Sequence, residues 1–134
     1  VSRRPQEILD EIRQLSDLGY REITLLGQTV NAYGHDLDER LPNGKRADFA
    51  WLLEEINDIN SKLRVRYTSP HPMYFNDRLI DVIASTQAVC EHLHMPLQSG
   101  DNDCLRRMKR TYTMEKYRAI TDKVRERIPN VAIT

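Results

Sequence analysis

Polar clusters follow three strands that the sequence predicts, and their residue types are those that bind polar ligands. They cover residues 27–31 (GQTVN), 68–72 (TSPHP) and 98–101 (QSGD). In parallel α/β architectures, ligands bind where strands end and loops begin. One turn of this composition is usually structural. Three such polar turns at the equivalent ends of successive strands favour a shared binding site over a sheet edge that is merely exposed to solvent.

A basic run follows the third cluster and consists of Arg106, Arg107, Lys109 and Arg110. On a helix such a run is usually a solvated face. Arginine also makes bidentate contacts with the carboxylate of a small ligand or with an RNA phosphate. A helix that starts at the polar strand end favours the small carboxylate.

Two histidines, His92 and His94, lie two positions apart on a predicted strand, so both rings face one side together with Gln98. The opposite side is apolar, with Leu93, Met95 and Leu97. The pair would suit a metal, but no carboxylate or cysteine shares its side, so a hydrogen-bonded structural role is favoured. No metal ligands are predicted. Glycine-rich phosphate loops and a local Ser/His/Asp set are also missing from the sequence, which leaves catalytic residues unassigned.

Hydrophobic periodicity and turn residues predict strict alternation of helices and strands. Helices are predicted over residues 5–18 with a stop at Gly19, 49–59 after an Asp48 cap, 76–85, 102–110 and 114–128. Strands are predicted over 22–27, 63–68, 91–98 and 131–134, and a long loop over 32–46. Such alternation indicates βα units and a parallel sheet.

Composition places the chain among cytoplasmic globular proteins. Its 134 residues suffice for one domain, residues 1–134, and 20 basic residues balance 20 acidic ones, which excludes a general attraction to nucleic acid. Cys90 and Cys104 fit no zinc or iron–sulfur spacing and are predicted to be free thiols in a reducing compartment. No apolar run is long enough to cross a membrane, and no membrane partner is expected.

Taken together, the motifs resemble the central part of the radical-SAM methylthiotransferases, most closely the branch that modifies tRNA. The segments that carry the resemblance are residues 2–5 (SRRP), 25–34 (LLGQTVNAYG), 64–69 (RVRYTS), 71–72 (HP), 94–100 (HMPLQSG) and 107–113 (RMKRTYT). The resemblance implies an α/β fold, an incomplete parallel (β/α) TIM-like barrel. The family's Cys-x3-Cys-x2-Cys loop lies just before SRRP, so a central piece of a longer enzyme is expected. Ser69-Pro70 and Thr111 depart from the family's usual residues and leave the subfamily open.

The resemblance also implies the ligands. Gly27, Gln28 and Asn31 correspond to positions that hold the methionine end of S-adenosylmethionine. Gln98 and Ser99 correspond to the ribose contacts, and Arg107 or Arg110 to the contact with the carboxylate. The full-length parent is expected to use two [4Fe–4S] clusters, abstract hydrogen from C2 of an N6-modified adenosine beside the tRNA anticodon, and deliver a methylthio group.

Two alternatives stay open. One is the branch of the same superfamily that modifies an aspartate of a ribosomal protein. The other is a non-catalytic α/β binding module, since the chain by itself has no cluster cysteines and is expected to be inactive alone. An incomplete barrel has two open sheet edges, so the fragment is expected to self-associate.

Overall fold

Helices and parallel strands alternate along the chain, as the sequence predicts. The computed structural model describes residues 1–38 and 40–134, and Glu39, within the predicted loop over residues 32–46, lies outside the described residues. The helices are α1 (Pro5–Asp17), α2 (Phe49–Ile59), α3 (Asp77–Ser85), α4 (Asn102–Arg107) and α5 (Met114–Arg127). The strands are β1 (Glu22–Leu25), β2 (Arg64–Tyr67), β3 (His92–Leu93) and β4 (Ala132–Ile133).

Side-chain caps start the helices that follow each strand end. The caps accept backbone N–H groups in the pairs Asp48–Trp51 (2.9 Å), Asn76–Leu79 (2.8 Å), Asp101–Cys104 (2.7 Å) and Thr113–Lys116 (3.4 Å). Each such cap contributes about 1 kcal/mol to stability. The cap predicted at Asp48 is therefore confirmed. The predicted end of the first helix is also confirmed, because Gly19 turns the chain with a φ of 86°.

All described strands pair in parallel. β1 pairs with β2 from Glu22 opposite Arg64 to Leu25 opposite Tyr67. β3 pairs with β4 in a second two-stranded sheet, and an isolated parallel bridge between Val65 of β2 and Val89, shortly before β3, connects the two sheets. The strand segments therefore lie side by side in chain order, and their carboxyl ends share one edge. This confirms the predicted α/β class with parallel pairing.

The core lies between the sheet and the helices that connect its strands. Its fully buried side chains include Leu53, Ile56, Val65, Ile83 and Leu93. Truncation of such a residue to Ala costs about 2–5 kcal/mol, so this packing is what holds the strand ends in place. Among the described residues, no helix is both long and apolar enough to span a membrane.

Two predicted elements are longer than the observed ones. The strand expected over residues 91–98 pairs only at His92–Leu93, with one further backbone bond from Met95 N to Thr134 O. Pro96 has no N–H to continue the ladder, and Gln98 has a φ of 70°, which no strand residue adopts. The helix expected to reach Arg110 ends at Arg107 because Lys109 adopts a left-handed φ of 56°.

Candidate functional site

A buried amide joins the loops that follow β1 and β2. Asn31, a residue that is 5% exposed, lies in a short 3-10 turn within the loop after β1. Its Nδ2 donates to the carbonyl oxygen of His71 (2.9 Å), and its Oδ1 accepts from the His71 N–H (2.8 Å). We call this pair of bonds the Asn31–His71 clamp. It fixes the backbone of one strand-end loop against its neighbour.

The His71 ring is oriented within the site by its neighbours. Its Nδ1 accepts from the Met73 N–H (3.3 Å), which assigns the ring proton of the neutral imidazole to Nε2. The ring meets that of Tyr112 edge-on, with centroids 5.7 Å apart. Burial, and then the charge of Arg110, lower the pKa of His71. The imidazole is therefore a neutral hydrogen-bond donor at physiological pH.

A second group of side chains gathers after β3. Gln98 Oε1 accepts from Arg110 Nη2 (3.1 Å), a pairing we call the Gln98–Arg110 contact. Arg110 reaches it because the chain reverses after α4, where its N–H donates to Leu105 O (2.9 Å) around the left-handed Lys109. Tyr112 Oη donates to Leu97 O (3.0 Å) and holds the same turn.

The guanidinium of Arg110 has one donor without an acceptor. Among the described residues its Nε is buried and has no hydrogen-bond partner. A buried donor without a partner costs about 1–3 kcal/mol, more when it is charged. A carboxylate bound along this edge of the guanidinium would supply the acceptor, with the bidentate geometry that arginine offers.

Ser99 and Arg107 lie close to this turn in different settings. Ser99 Oγ accepts from the Asp101 N–H (3.2 Å), so the hydroxyl already stabilises the turn before α4. Arg107 is exposed in the last turn of α4. The predicted basic run is thus split, because Arg107 stays on the helix whereas Arg110 lies beyond its end.

A cleft of about 700 Å³ opens beside β1, between this strand and α1. Gly27 and Gln28 line it, together with Leu15 and Ile23 from its apolar wall. A Cβ on Gly27 would lie 3.4 Å from Val30 Cα, an ordinary van der Waals contact, so the loop packs closely here without requiring glycine. Gly27 and Gln28 follow the carboxyl end of β1 and face this cleft.

The structure therefore joins some of the predicted site residues and separates others. Asn31 bonds to the His71 backbone, and Gln98 bonds to Arg110, whose charge acts on the His71 ring. Gly27 and Gln28 instead line the cleft beside β1. Sequence reasoning missed the aromatic neighbours of His71, Tyr74 and Tyr112. Their positions directly after the TSPHP and basic segments were a weak signal, and only the fold brings their rings together.

The predicted hydrogen-bonded role of the strand histidines is confirmed. His92 Nε2 and His94 Nδ1 lie 3.1 and 3.2 Å from Thr134 Oγ1, so both rings face one side and share a partner on β4. Within the described part of the chain, no group of three or more His, Cys, Asp or Glu side chains could hold a metal ion. Cys90 and Cys104 are free thiols, as predicted.

Comparison with known proteins gives a family match over the whole chain. The model of the radical SAM superfamily matches residues 1–134. A tRNA-2-methylthio-N(6)-dimethylallyladenosine synthase of Thermoanaerobacter pseudethanolicus is 49% identical over 133 residues, which are 99% of this chain and 27% of that protein. The protein of the same name from Corynebacterium jeikeium is 52% identical, over 98% of this chain and 26% of that protein. The one from Corynebacterium urealyticum is 53% identical, over 98% of this chain and 24% of that protein. The chain thus spans about a quarter of the length of these curated relatives.

Proposed function

Because this chain belongs to the radical SAM superfamily, we propose that the protein containing it adds a methylthio group to C2 of an N6-modified adenosine in tRNA. The observation that carries the proposal is identity of 49–53% over nearly the whole chain to proteins named for that reaction. We place the protein in the cytoplasm, with tRNA as its macromolecular substrate. Because the matched segment is a part of the relatives, residues 1–134 contribute one portion of the machinery.

Residues 1–134 form, in this proposal, part of a parallel (β/α) barrel of TIM-like type and a single partial domain. Support comes from the strand order, which follows the chain, and from helices between successive parallel strands. In such barrels the reacting groups assemble at the carboxyl ends of the strands. The Asn31–His71 clamp and the Gln98–Arg110 contact lie at this edge.

S-adenosylmethionine is the cofactor that these residues suit. As the resemblance implies, Gly27 and Gln28 are proposed to contact its methionine end, and Gln98 and Ser99 its ribose. The unpaired Nε–H of Arg110 suits a carboxylate, and Arg107 is the second cation available nearby. When bound beside a reduced iron–sulfur cluster, the cofactor supplies the radical chemistry that removes a hydrogen from unactivated carbon.

The chain's own contribution is to bind and orient. The Asn31 amide bonds to both backbone groups of His71, so in this proposal it acts on the cofactor by fixing the loops around it. The Gln98–Arg110 contact holds the arginine against the turn after β3. Two [4Fe–4S] clusters are proposed for the whole protein, with ligands outside residues 1–134, as the resemblance to the methylthiotransferases implies.

The test replaces the gene with variants and measures the 2-methylthio modification in hydrolysed tRNA by mass spectrometry. We expect Gln98→Ala to lower the modification and to weaken S-adenosylmethionine binding by the purified full-length protein. Gln87→Ala is the matched control, because Gln87 is exposed and lies before β3, at the opposite end of the strand. Full modification in the Gln98 variant would remove this residue from the site.

The same strains separate the alternatives. Loss of methylthiolation from a ribosomal-protein aspartate with unchanged tRNA would point to the branch that modifies protein. Unchanged tRNA and ribosomal protein after deletion of the gene would point to a non-catalytic module. The hypothesis that the protein modifies tRNA requires that only the 2-methylthio adenosine disappears from the hydrolysed tRNA when the gene is deleted.

Residues 1–134 produced alone are proposed to self-associate through the free edges of β1 and β4. Within the described residues β1 pairs only with β2 and β4 only with β3, so each has one open side. Unpaired backbone groups at such edges recruit further strands. Sedimentation velocity of the purified fragment measures this directly, and a clean monomer with a sharp cooperative melt would contradict it.

A further inference from the structure

Aromatic rings form a continuous row across the edge where the strands end. The row runs His35, Tyr74, His71, Tyr112 and Tyr117, with successive centroid distances of 5.3, 6.0, 5.7 and 6.2 Å. Most of these contacts are edge-to-face, the arrangement in which ring quadrupoles attract. The rings come from segments far apart in sequence, so the row is a product of the fold. We call it the aromatic row.

One end of the aromatic row is anchored and the other is open to solvent. Tyr112 Oη donates to Leu97 O (3.0 Å) and Tyr117 Oη to Met95 O (2.6 Å), which ties these rings to the chain after β3. At the other end His35 is exposed, and Tyr74 is 38% exposed. Because the rings at one end are fixed by hydrogen bonds and those at the other end are exposed, the row is preorganised to receive a flat ligand.

Positive charge lies at both ends of the open part of the row. Arg46 Nη1 donates to the backbone carbonyl oxygen of His35 (2.8 Å), which fixes its guanidinium at the residue that carries the outermost ring. Arg110 lies close enough to His71 to act on its protonation. His71 adds a neutral Nε2–H donor, since its Nδ1 is already used by Met73. Aromatic faces between arginines are the combination with which proteins hold unpaired nucleotides, the rings stacking on bases and the arginines meeting phosphates.

We propose that the open part of the aromatic row, Tyr74 with His35 and His71, is a contact surface for an unpaired nucleobase of RNA, and that Arg46 meets the adjoining phosphate. This inference rests on the proposed function and deepens it, because it says which side chains of residues 1–134 would meet the RNA. Stacking on an aromatic ring needs a base that is out of the duplex stack. The surface is therefore selective for single-stranded RNA over duplex.

The test uses the full-length protein and two labelled RNAs of the same length. One is a hairpin with an unpaired, adenine-containing loop, and the other is a fully paired duplex. Fluorescence anisotropy gives the affinity of each for the wild type, Tyr74→Ala, Tyr74→Phe and Tyr20→Ala. Tyr20 is the matched control, since it is 57% exposed and lies before β1, at the opposite end of the strand.

We expect Tyr74→Ala to weaken hairpin binding by roughly tenfold, the usual loss for one stacked base, and to leave duplex binding unchanged. Tyr74→Phe keeps the ring and should bind the hairpin as the wild type does, and so should Tyr20→Ala. Affinity for S-adenosylmethionine, measured on the same samples, verifies that each variant is folded. If Tyr74→Ala does not fold, His35→Ala carries the test, since that side chain is exposed.

Two results would overturn the inference. Hairpin affinity of the alanine variant equal to that of Tyr20→Ala would show that the row is only packing. An equal loss for hairpin and duplex would show that the protein does not read unpaired bases there. Failure of the proposed function is a separate result, in which wild-type tRNA modification does not depend on the gene.

Discussion

Two regions meet where the strands end, the loops after β1 and β2 and the turn after β3. Hydrogen bonds of different kinds hold each of them. The first pair of loops is joined by the Asn31–His71 clamp, in which the residue Asn31 is 5% exposed. The turn after β3 relies on the Gln98–Arg110 contact between longer side chains, of which Gln98 is exposed. It also contains two left-handed residues, Gln98 and Lys109, compared with one, Ser69, in the loop after β2.

This difference separates a rigid part of the candidate site from an adjustable one. Buried hydrogen bonds to backbone fix geometry, because each broken bond leaves a polar group without water. Left-handed conformations cost a non-glycine residue roughly 1–2 kcal/mol, so the turn after β3 stores strain in the folded state. We infer that the β1 and β2 loops are preformed and that the turn after β3 adjusts when a ligand binds.

The largest effect is expected from breaking the clamp. Asn31→Ala removes both bonds and leaves the His71 N–H and C=O without partners, which should destabilise the two loops by about 2–4 kcal/mol. Hydrogen exchange of the peptide over residues 68–75, measured by mass spectrometry in the full-length protein, should speed up accordingly. Asn130→Ala is the control, since Asn130 is exposed. Equal exchange in both variants would mean that the clamp does not hold these loops.

A smaller effect of opposite sign is expected at the turn after β3. Lys109→Gly relieves the left-handed backbone and should stabilise the turn by up to about 1 kcal/mol, because glycine adopts this conformation freely. Arg118→Gly within α5 should instead destabilise by about 1 kcal/mol. Exchange of the peptide over residues 105–112 reports the first change. If Lys109→Gly loosens this peptide, the turn carries no relievable strain.

Acidification should give the smallest change, and only in the loop that contains His71. Burial and Arg110 lower the pKa of His71, so the unfolded chain binds a proton more readily than the folded one. The folded loop therefore loses stability as pH falls through about 6.5, the unfolded value, and the loss levels off below the lower folded pKa.

Comparison of wild type with His71→Gln isolates this contribution. The side chains that face His71 are Arg110, Tyr74 and Tyr112. The difference in thermal midpoint between the two proteins should narrow on acidification. If the difference in thermal midpoint between the two proteins stays constant from neutral to mildly acidic pH, His71 is excluded as the titrating group.

Sequence pattern alone predicted most of the architecture, for local reasons. Helical periodicity, the Asp48 cap and the stop at Gly19 depend on residues a few positions apart, and the structure confirms them. The errors lie where local signals conflict with backbone geometry. Apolar alternation continued past Pro96 and predicted a strand through Gln98, but the missing N–H and a positive φ end the pairing earlier.

The candidate site was predictable only in part. The polar clusters after successive strands marked the right edge of the sheet, and the resemblance supplied a role for each residue. Where the side chains point was not predictable. Asn31 was expected to contact a cofactor, which stays a prediction, and the sequence pattern gave no sign that its amide also bonds to His71, forty positions further along the chain.

By itself, then, the sequence determined the order of helices and strands, the parallel pairing and the position of the polar edge, since periodicity and capping act over short distances. Only the tertiary structure decided which distant groups meet there. The clamp and the aromatic row each depend on residues from separate βα units. Packing of those units against one core sets their distances, and no spacing along the chain encodes them.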